Sequence, residues 1–332
     1  MILFNILYFR HAAIVTAWAT TPVAAVPLSA HAADDYPNRS VRFIVPYTPG
    51  AINDFVARLV AQKLTDAWGR QVVVDNRAGG GTLIGTDLVA KSNPDGYTLL
   101  LVPTAFAINV SLYPKLPYDT VRDFAPVTQI GAGPYLMVCA PQLPVKTIKE
   151  LVALAKAKPG SLSYASTGSG GSAHLMGELL KASAGIDLQH IPYKGLAPGL
   201  TDVMSGQVSC TFGTQVAVGA QVKAGRLRAI ALTGNVRSKS APDVPTIAEA
   251  GYADYHATGW WGVVVPTATP KAIIAKLHTD IVRLLNQPDV RERLEVQGVE
   301  IAATTPEQFA KFIREEIVRW GKAVKVSGAK PD

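Results

Sequence analysis

The sequence is poor in the residues that most often carry chemistry. Only two cysteines, Cys139 and Cys210, occur in 332 residues, so no cysteine cluster for zinc or iron can be assembled. His174, His190, His256 and His278 show no H-x-x-x-H spacing and no adjoining acidic cluster, which leaves no metal motif. Charged residues make up 17% of the chain, and Lys and Arg are scattered rather than gathered into blocks. A nucleic-acid or anionic-lipid surface is therefore not indicated, whereas the formal net charge of +7 favours capture of small anions. No apolar run long enough to span a bilayer follows residue 32.

Catalytic motifs are equally scarce. The serine-rich stretch 166–174 lacks the G-x-S-x-G nucleophile elbow. Gly168-x-Gly170-x-x-Ala173 does match a dinucleotide fingerprint. No acid ends the strand that follows, however, and Asp187 precedes it, so the fingerprint is incomplete. The loop at Gly79-Gly80-Gly81 misses the same motif by one position and has no P-loop lysine. No nucleotide, metal or other cofactor is expected. A hydrolase built on Ser166 to His174 is the competing enzymatic reading.

What the chain does contain is a folding composition. Hydrophobic residues reach 48%, well outside the range of disordered chains, and 332 residues suffice for two domains. Residues 12–28 carry no charge and end in Ser29-Ala30-His31-Ala32, a small-residue cleavage pattern that predicts a removable export signal over residues 1–32 rather than an anchor. Outside the cytoplasm Cys139 and Cys210 could pair, or each could remain a buried thiol within its apolar run.

Strand-like and helix-like segments alternate from residue 41 onward, the pattern of an α/β protein with largely parallel sheets. The apolar run 41–45 is followed by a Pro-Gly turn and then by Phe55, Val56, Leu59, Val60, Leu64 and Trp68 at helical spacing. Thr147 with Glu150 predicts a capped helix that must stop before Pro159. Thr269-Pro270 and Thr305-Pro306 each predict a helix start, with threonine as cap and proline in the first turn. Phe309, Phe312, Ile313, Ile317 and Trp320 give the last helix one apolar face that packs on a core. Two apolar strands, 135–140 and 260–265, are not followed at once by a helix. Read as crossings, they divide the chain into 36–134 plus 259–332 and an inserted 135–258, with a cleft between. Glycine- and serine-rich loops precede several helices, where free amides and the helix dipole favour an anion such as a carboxylate.

Tyr36-Pro37-x-Arg39, Pro49-Gly50, Asp54-x-x-Ala57-Arg58, Asn76-Arg77, Pro94-Asp95-Gly96-Tyr97-Thr98, Leu116-Pro117-Tyr118-Asp119, His190-x-Pro192-Tyr193-Lys194-Gly195, Pro242-Asp243-Val244-Pro245-Thr246 and Trp260-x-Gly262 follow one another in this order. Together they resemble the TctC/Bug family, the extracytoplasmic solute receptors of tripartite tricarboxylate transporters. The resemblance implies a type II periplasmic-binding-protein fold, two α/β domains joined by two crossing strands, in a non-catalytic periplasmic receptor. It implies a small organic carboxylate as ligand and the transporter's membrane subunits as partner, with the receptor itself a monomer. A solute-binding protein that signals to a partner is the alternative within the same architecture.

Carried onto this chain, the family's ligand loops become Tyr47, Thr48, Ala51, Ile52 and Asn53 after the first strand, with Thr104 and Ala105 after the third. The second domain would contribute Ser166, Gly168, Ser169, Gly170, His174, Lys194 and Gly195. Asp54 reads as a helix cap and His174 as an anchor of its loop. Ala51 stands where the family usually has a second glycine, and its methyl would narrow the site or turn the loop. With no charged residue in these loops other than Lys194, a mono- or dicarboxylate is favoured over citrate.

Overall fold

A computed structural model describes residues 35–331 apart from Lys194, and the export signal expected over 1–32 lies outside the described residues. The chain opens with β1 (Val41–Val45), α1 (Ile52–Trp68) and β2 (Val72–Asn76). A tight turn at Gly80–Thr82 leads into α2 (Leu83–Ala90), β3 (Thr98–Pro103), α3 (Ala105–Leu112) and β4 (Phe124–Pro134). The middle of the chain holds β5 (Leu136–Cys139), α4 (Ile148–Ala157), β6 (Ser163–Ser166), α5 (Ser172–Ala184) and β7 (Gln189–Pro192). After these come α6 (Leu196–Ser205), β8 (Cys210–Gly213), α7 (Gln215–Lys223) and β9 (Arg228–Leu232). The last part is β10 (Thr258–Pro266), α8 (Lys271–Leu285), α9 (Pro288–Val296), β11 (Glu300–Ile301) and α10 (Pro306–Ser327).

Two sheets result, one ordered β11-β4-β10-β3-β1-β2 and the other β7-β6-β8-β5-β9. With their helices they form a first and a second lobe. The chain leaves the first sheet at Tyr135, between β4 and β5, and re-enters it at β10. The sheets are mixed rather than largely parallel. In the first, β1 runs parallel to β2 and β3 while β10 is antiparallel to β3 and β4. In the second, β6 is parallel to β7 and β8 while β5 is antiparallel to β8 and β9. The reason lies in connectivity: strand-helix-strand units force parallel neighbours, and a strand arriving from the other lobe is free of that rule.

Alternation along the central strands divides the first lobe into two packed layers. Phe43, Leu99 and Leu101 join Val56, Val60 and Leu277 on one face, whereas Ile44, Leu100 and Val102 join Phe106, Phe309 and Trp320 on the other. Helix α10 packs on α3 and β4 and reaches across to α5 of the second lobe. At that junction the indoles of Trp260 and Trp320 donate to Glu316 Oε2 at 2.9 and 2.8 Å, and Arg319 pairs with the same carboxylate at 2.8 Å. Burial pushes the Glu316 carboxyl up, against the opposing pull of Arg319 and the two indoles.

Helix limits follow local chemistry closely. Thr147 with Glu150 and Thr305 with Gln308 form reciprocal capping boxes, and Pro306 occupies the first turn of α10. The expected cap at Thr269 does not form: Pro270 takes the cap position of α8. The Thr269 hydroxyl instead donates back to the Pro266 carbonyl at 2.7 Å. Cys139 and Cys210 stand opposite each other on β5 and β8 and are joined by a disulfide, which resolves the two readings open to them. Among the described residues no helix is long and apolar enough to cross a membrane.

Candidate functional site

Five helices begin at the cleft between the lobes, and none of them is capped by a side chain. These are α1 after Ala51, α3 after Thr104, α5 after Gly171, α6 after Gly195 and α7 after Thr214. The first amides of a helix have no partner within it, so their N–H groups and the positive end of the dipole are left for something else. No acidic residue occupies the first turn of α3, α5, α6 or α7. Helix α1 does carry Asp54, but that carboxylate is already engaged. It accepts from Gly50 N at 3.0 Å, from Arg58 Nε at 2.9 Å and from Asn76 Nδ2 at 3.0 Å. Burial alone would raise the Asp54 carboxyl, yet these donors hold it below its ordinary range.

The cleft contains a cavity of about 520 Å³ whose wall includes Tyr47, Ala51, Ile52, Asn53, Ala105, Tyr135, Gly171, Ser172, Gly195, Leu196, Phe212, Thr214 and Val216. Volumes of this order suit a small molecule. A narrow extension adds Thr104, Trp260 and Trp261. A neighbouring hollow of about 370 Å³ shares Tyr47 and Ala105 and is bounded by Gly80, Gly81, Asn109, Leu112, Tyr113 and the 167–171 loop. No Lys, Arg, His, Asp or Glu among the described residues lines any of the three.

Polar side chains at the cleft are fixed from behind. Trp261 Nε1 donates to Asn53 Oδ1 at 2.7 Å, which orients the amide and leaves its NH₂ as the remaining donor. The Thr104 oxygen accepts from Trp260 N at 3.0 Å, keeping its hydroxyl hydrogen available. Burial pushes the phenols of Tyr47 and Tyr135 up, and for Tyr135 a hydrogen bond with Ser172 opposes this. Both phenols are therefore neutral donors at any physiological pH.

The structure separates the sequence-derived site residues into two groups. Tyr47, Ala51, Ile52, Asn53, Thr104, Ala105, Gly168, Ser169, Gly170 and Gly195 line the cleft cavities. Thr48 is exposed and outside the lining, and Ser166 and His174 lie behind the loop. Ser166 Oγ accepts from Gly168 N at 3.2 Å and sits 2.6 Å from His190 Nε2, so it serves the turn and not the cavity. His174 Nδ1 accepts from Gly170 N at 2.8 Å, and its ring stacks on that of His190 at 3.8 Å. The loop is thus anchored from below. Lys194 lies outside the described residues.

Ala51 adopts φ −89° and ψ 173°, which any residue tolerates. Its methyl therefore adds bulk to the cavity wall without turning the loop. Gly170 is different: with φ +75°, a side chain there would also meet Leu112 of the first lobe. Sequence reasoning missed Tyr135, Ser172, Thr214 and the apolar Leu196, Phe212, Val216 and Ala217. The signal for Thr214 was present, because Gly213-Thr214 follows an apolar run and precedes a helix, as the other cleft loops do.

Comparisons with known proteins agree on one family. The model described as "Tripartite tricarboxylate transporter family receptor" matches residues 56–329. Protein BugT of Bordetella pertussis is 39% identical over 323 residues, covering 97% of this chain and 98% of the relative. An R. palustris protein solved with adipate is 34% identical with a TM-score of 0.82, covering 90% of this chain and 100% of that one. MatC from Rhodopseudomonas palustris with bound malate is 31% identical with a TM-score of 0.77, over 87% and 100% of the two chains.

Proposed function

The chain belongs to the tripartite tricarboxylate transporter family of solute receptors, and from that premise we propose that it captures a small organic carboxylate between its lobes and delivers it to the membrane subunits of such a transporter. The observation that carries this reading is the meeting of five uncapped helix N-termini at one interlobe cavity. Amides and dipoles gathered around one cavity stabilise an anion without any cationic side chain. Related proteins solved with adipate and malate support the same ligand class.

In this reading the ligand-contacting residues are Tyr47, Ala51, Ile52, Asn53, Thr104, Ala105, the 168–170 loop and Gly195, joined by Tyr135, Ser172 and Thr214. Ser166 and His174 support their loop rather than touch ligand, and Thr48 stays outside the cavity. The moving units are 36–134 with 259–332 and 135–258, and the hinge lies at Tyr135 and just before β10. Export to the periplasm by cleavage after Ala32 and a monomeric receptor complete the proposal.

A thermal-shift screen of the mature protein, from Ala33 onward, tests it with acetate, benzoate, malate, adipate and citrate beside neutral sugars and amino acids. A carboxylate at about 100 times its dissociation constant adds about 2.7 kcal/mol, a rise of several degrees. Recovery of that acid chemically unchanged is expected of a receptor. Stabilisation by sugars with every carboxylate and amino acid silent would overturn the ligand class, and turnover of the acid would overturn the receptor.

A further inference from the structure

Polar and apolar side chains are not mixed evenly around the main cavity. Tyr47, Asn53, Thr104, Tyr135 and Ser172 gather where that cavity meets its narrow extension. Leu196, Phe212, Val216 and Ala217 come from the other part of the wall, with Thr214 as the polar side chain among them. Val216 is 42% exposed and lines this cavity. An apolar surface kept open inside a binding cleft has unsatisfied burial, which a ligand can supply at about 25 cal/mol per Å².

Resting on the carboxylate-receptor reading above, we propose that this chain selects an organic monocarboxylate with an apolar body, an aromatic or branched aliphatic acid, over acids charged at both ends. The carboxylate sits among the hydroxyls and amide of the polar end, where the N-termini of α1, α3 and α5 converge. The body of the acid covers Leu196, Val216 and Ala217. At that end Thr214 and the first amides of α6 and α7 can take up a neutral hydroxyl, ether or ring heteroatom. A second carboxylate there would lose water beside Leu196, Val216 and Ala217, and would meet only the N-termini of α6 and α7 against three at the polar end.

Isothermal titration of the mature protein with phenylacetate, benzoate and 4-methylpentanoate, against malate and adipate, tests the assignment. At least one of the apolar acids should bind tenfold or more tightly than either diacid. Val216→Lys should reverse the order, weakening the apolar acids by at least tenfold and strengthening adipate, and its unliganded melting curve checks that the exposed substitution leaves the fold intact. Malate or adipate binding tighter than all three apolar acids would overturn this inference and leave the carboxylate receptor standing. An unchanged order in Val216→Lys would remove Val216 from the ligand's path and overturn it as well. Silence from all five acids would overturn the carboxylate ligand class on which this inference rests.

Discussion

Helices that open on the cleft start differently from three of those that open elsewhere. Away from the cleft, α4 and α10 have full capping boxes, and α4, α9 and α10 carry Glu150, Asp289 and Glu307 in their first turns, whereas α2 and α8 have neither cap nor acid. At the cleft, α3, α5, α6 and α7 have neither a side-chain cap nor an acid, and the acid of α1 is held by Arg58, Gly50 and Asn76. Each omission costs stability, because a cap contributes about 1 kcal/mol and an acid near the dipole about 0.3–1 kcal/mol. The difference teaches where the molecule keeps its positive potential: in backbone groups left unneutralised until a ligand arrives.

Placing an acid where the cleft lacks one gives the largest expected effect. Gly171 has φ −69° and ψ 162°, and a Cβ there meets nothing closer than 3.4 Å. Gly171→Asp should therefore cap α5, raise the unliganded stability by about 0.5–1 kcal/mol, and weaken carboxylate binding at least 100-fold by occupying the same amides. Titration calorimetry and denaturant melts read the two effects separately. A variant that gains stability and still binds acid would show that the α5 amides are not part of the site.

Asp54 supplies the next step, because it is the one acid in the first turn of a cleft helix. Asp54→Ala should cost about 1 kcal/mol, since it removes the acceptor shared by the Gly50 amide, Asn76 and Arg58. Binding should weaken with it as the 47–53 loop loosens. The same group sets an acid response. Its folded-state carboxyl is held below the ordinary range, so its stabilisation is complete above the ordinary carboxylate pKa and lost as pH falls through the depressed value. Wild-type melting points should fall over that acidic interval, and Asp54→Ala should flatten the slope.

The smallest effect belongs to the capped class. Thr305→Ala removes the α10 capping box and should lower stability by about 1 kcal/mol with ligand affinity unchanged. If affinity fell in parallel, caps remote from the cleft would be coupled to binding, and the contrast between the two classes of helix would blur.

Much of this organisation was legible because it is written within a few residues. The Thr147–Glu150 capping box, the limits of α4, the start of α10 and the strand-loop-helix repeats each depend on neighbours one to four positions apart. Thr269 misled because its hydroxyl found Pro266 behind it, a competing bond that the Thr-Pro pair does not reveal. Val216 and Ala217 were illegible as cavity residues, because an apolar first turn reads as core whether it faces core or cleft.

The sequence by itself determined the alternation of elements, where most helices begin and end, and the apolar faces that hold each lobe together. Tertiary structure alone decided which helix starts share a cavity, how the two cysteines are disposed and which residues stand behind the site. Asn53 is oriented by Trp261, 208 positions away, and Gly170 is confined by Leu112 of the other lobe. Local rules act over one helical turn or one strand pair. The binding cleft is made of contacts between segments that meet only when both lobes have folded and the chain has crossed between them twice.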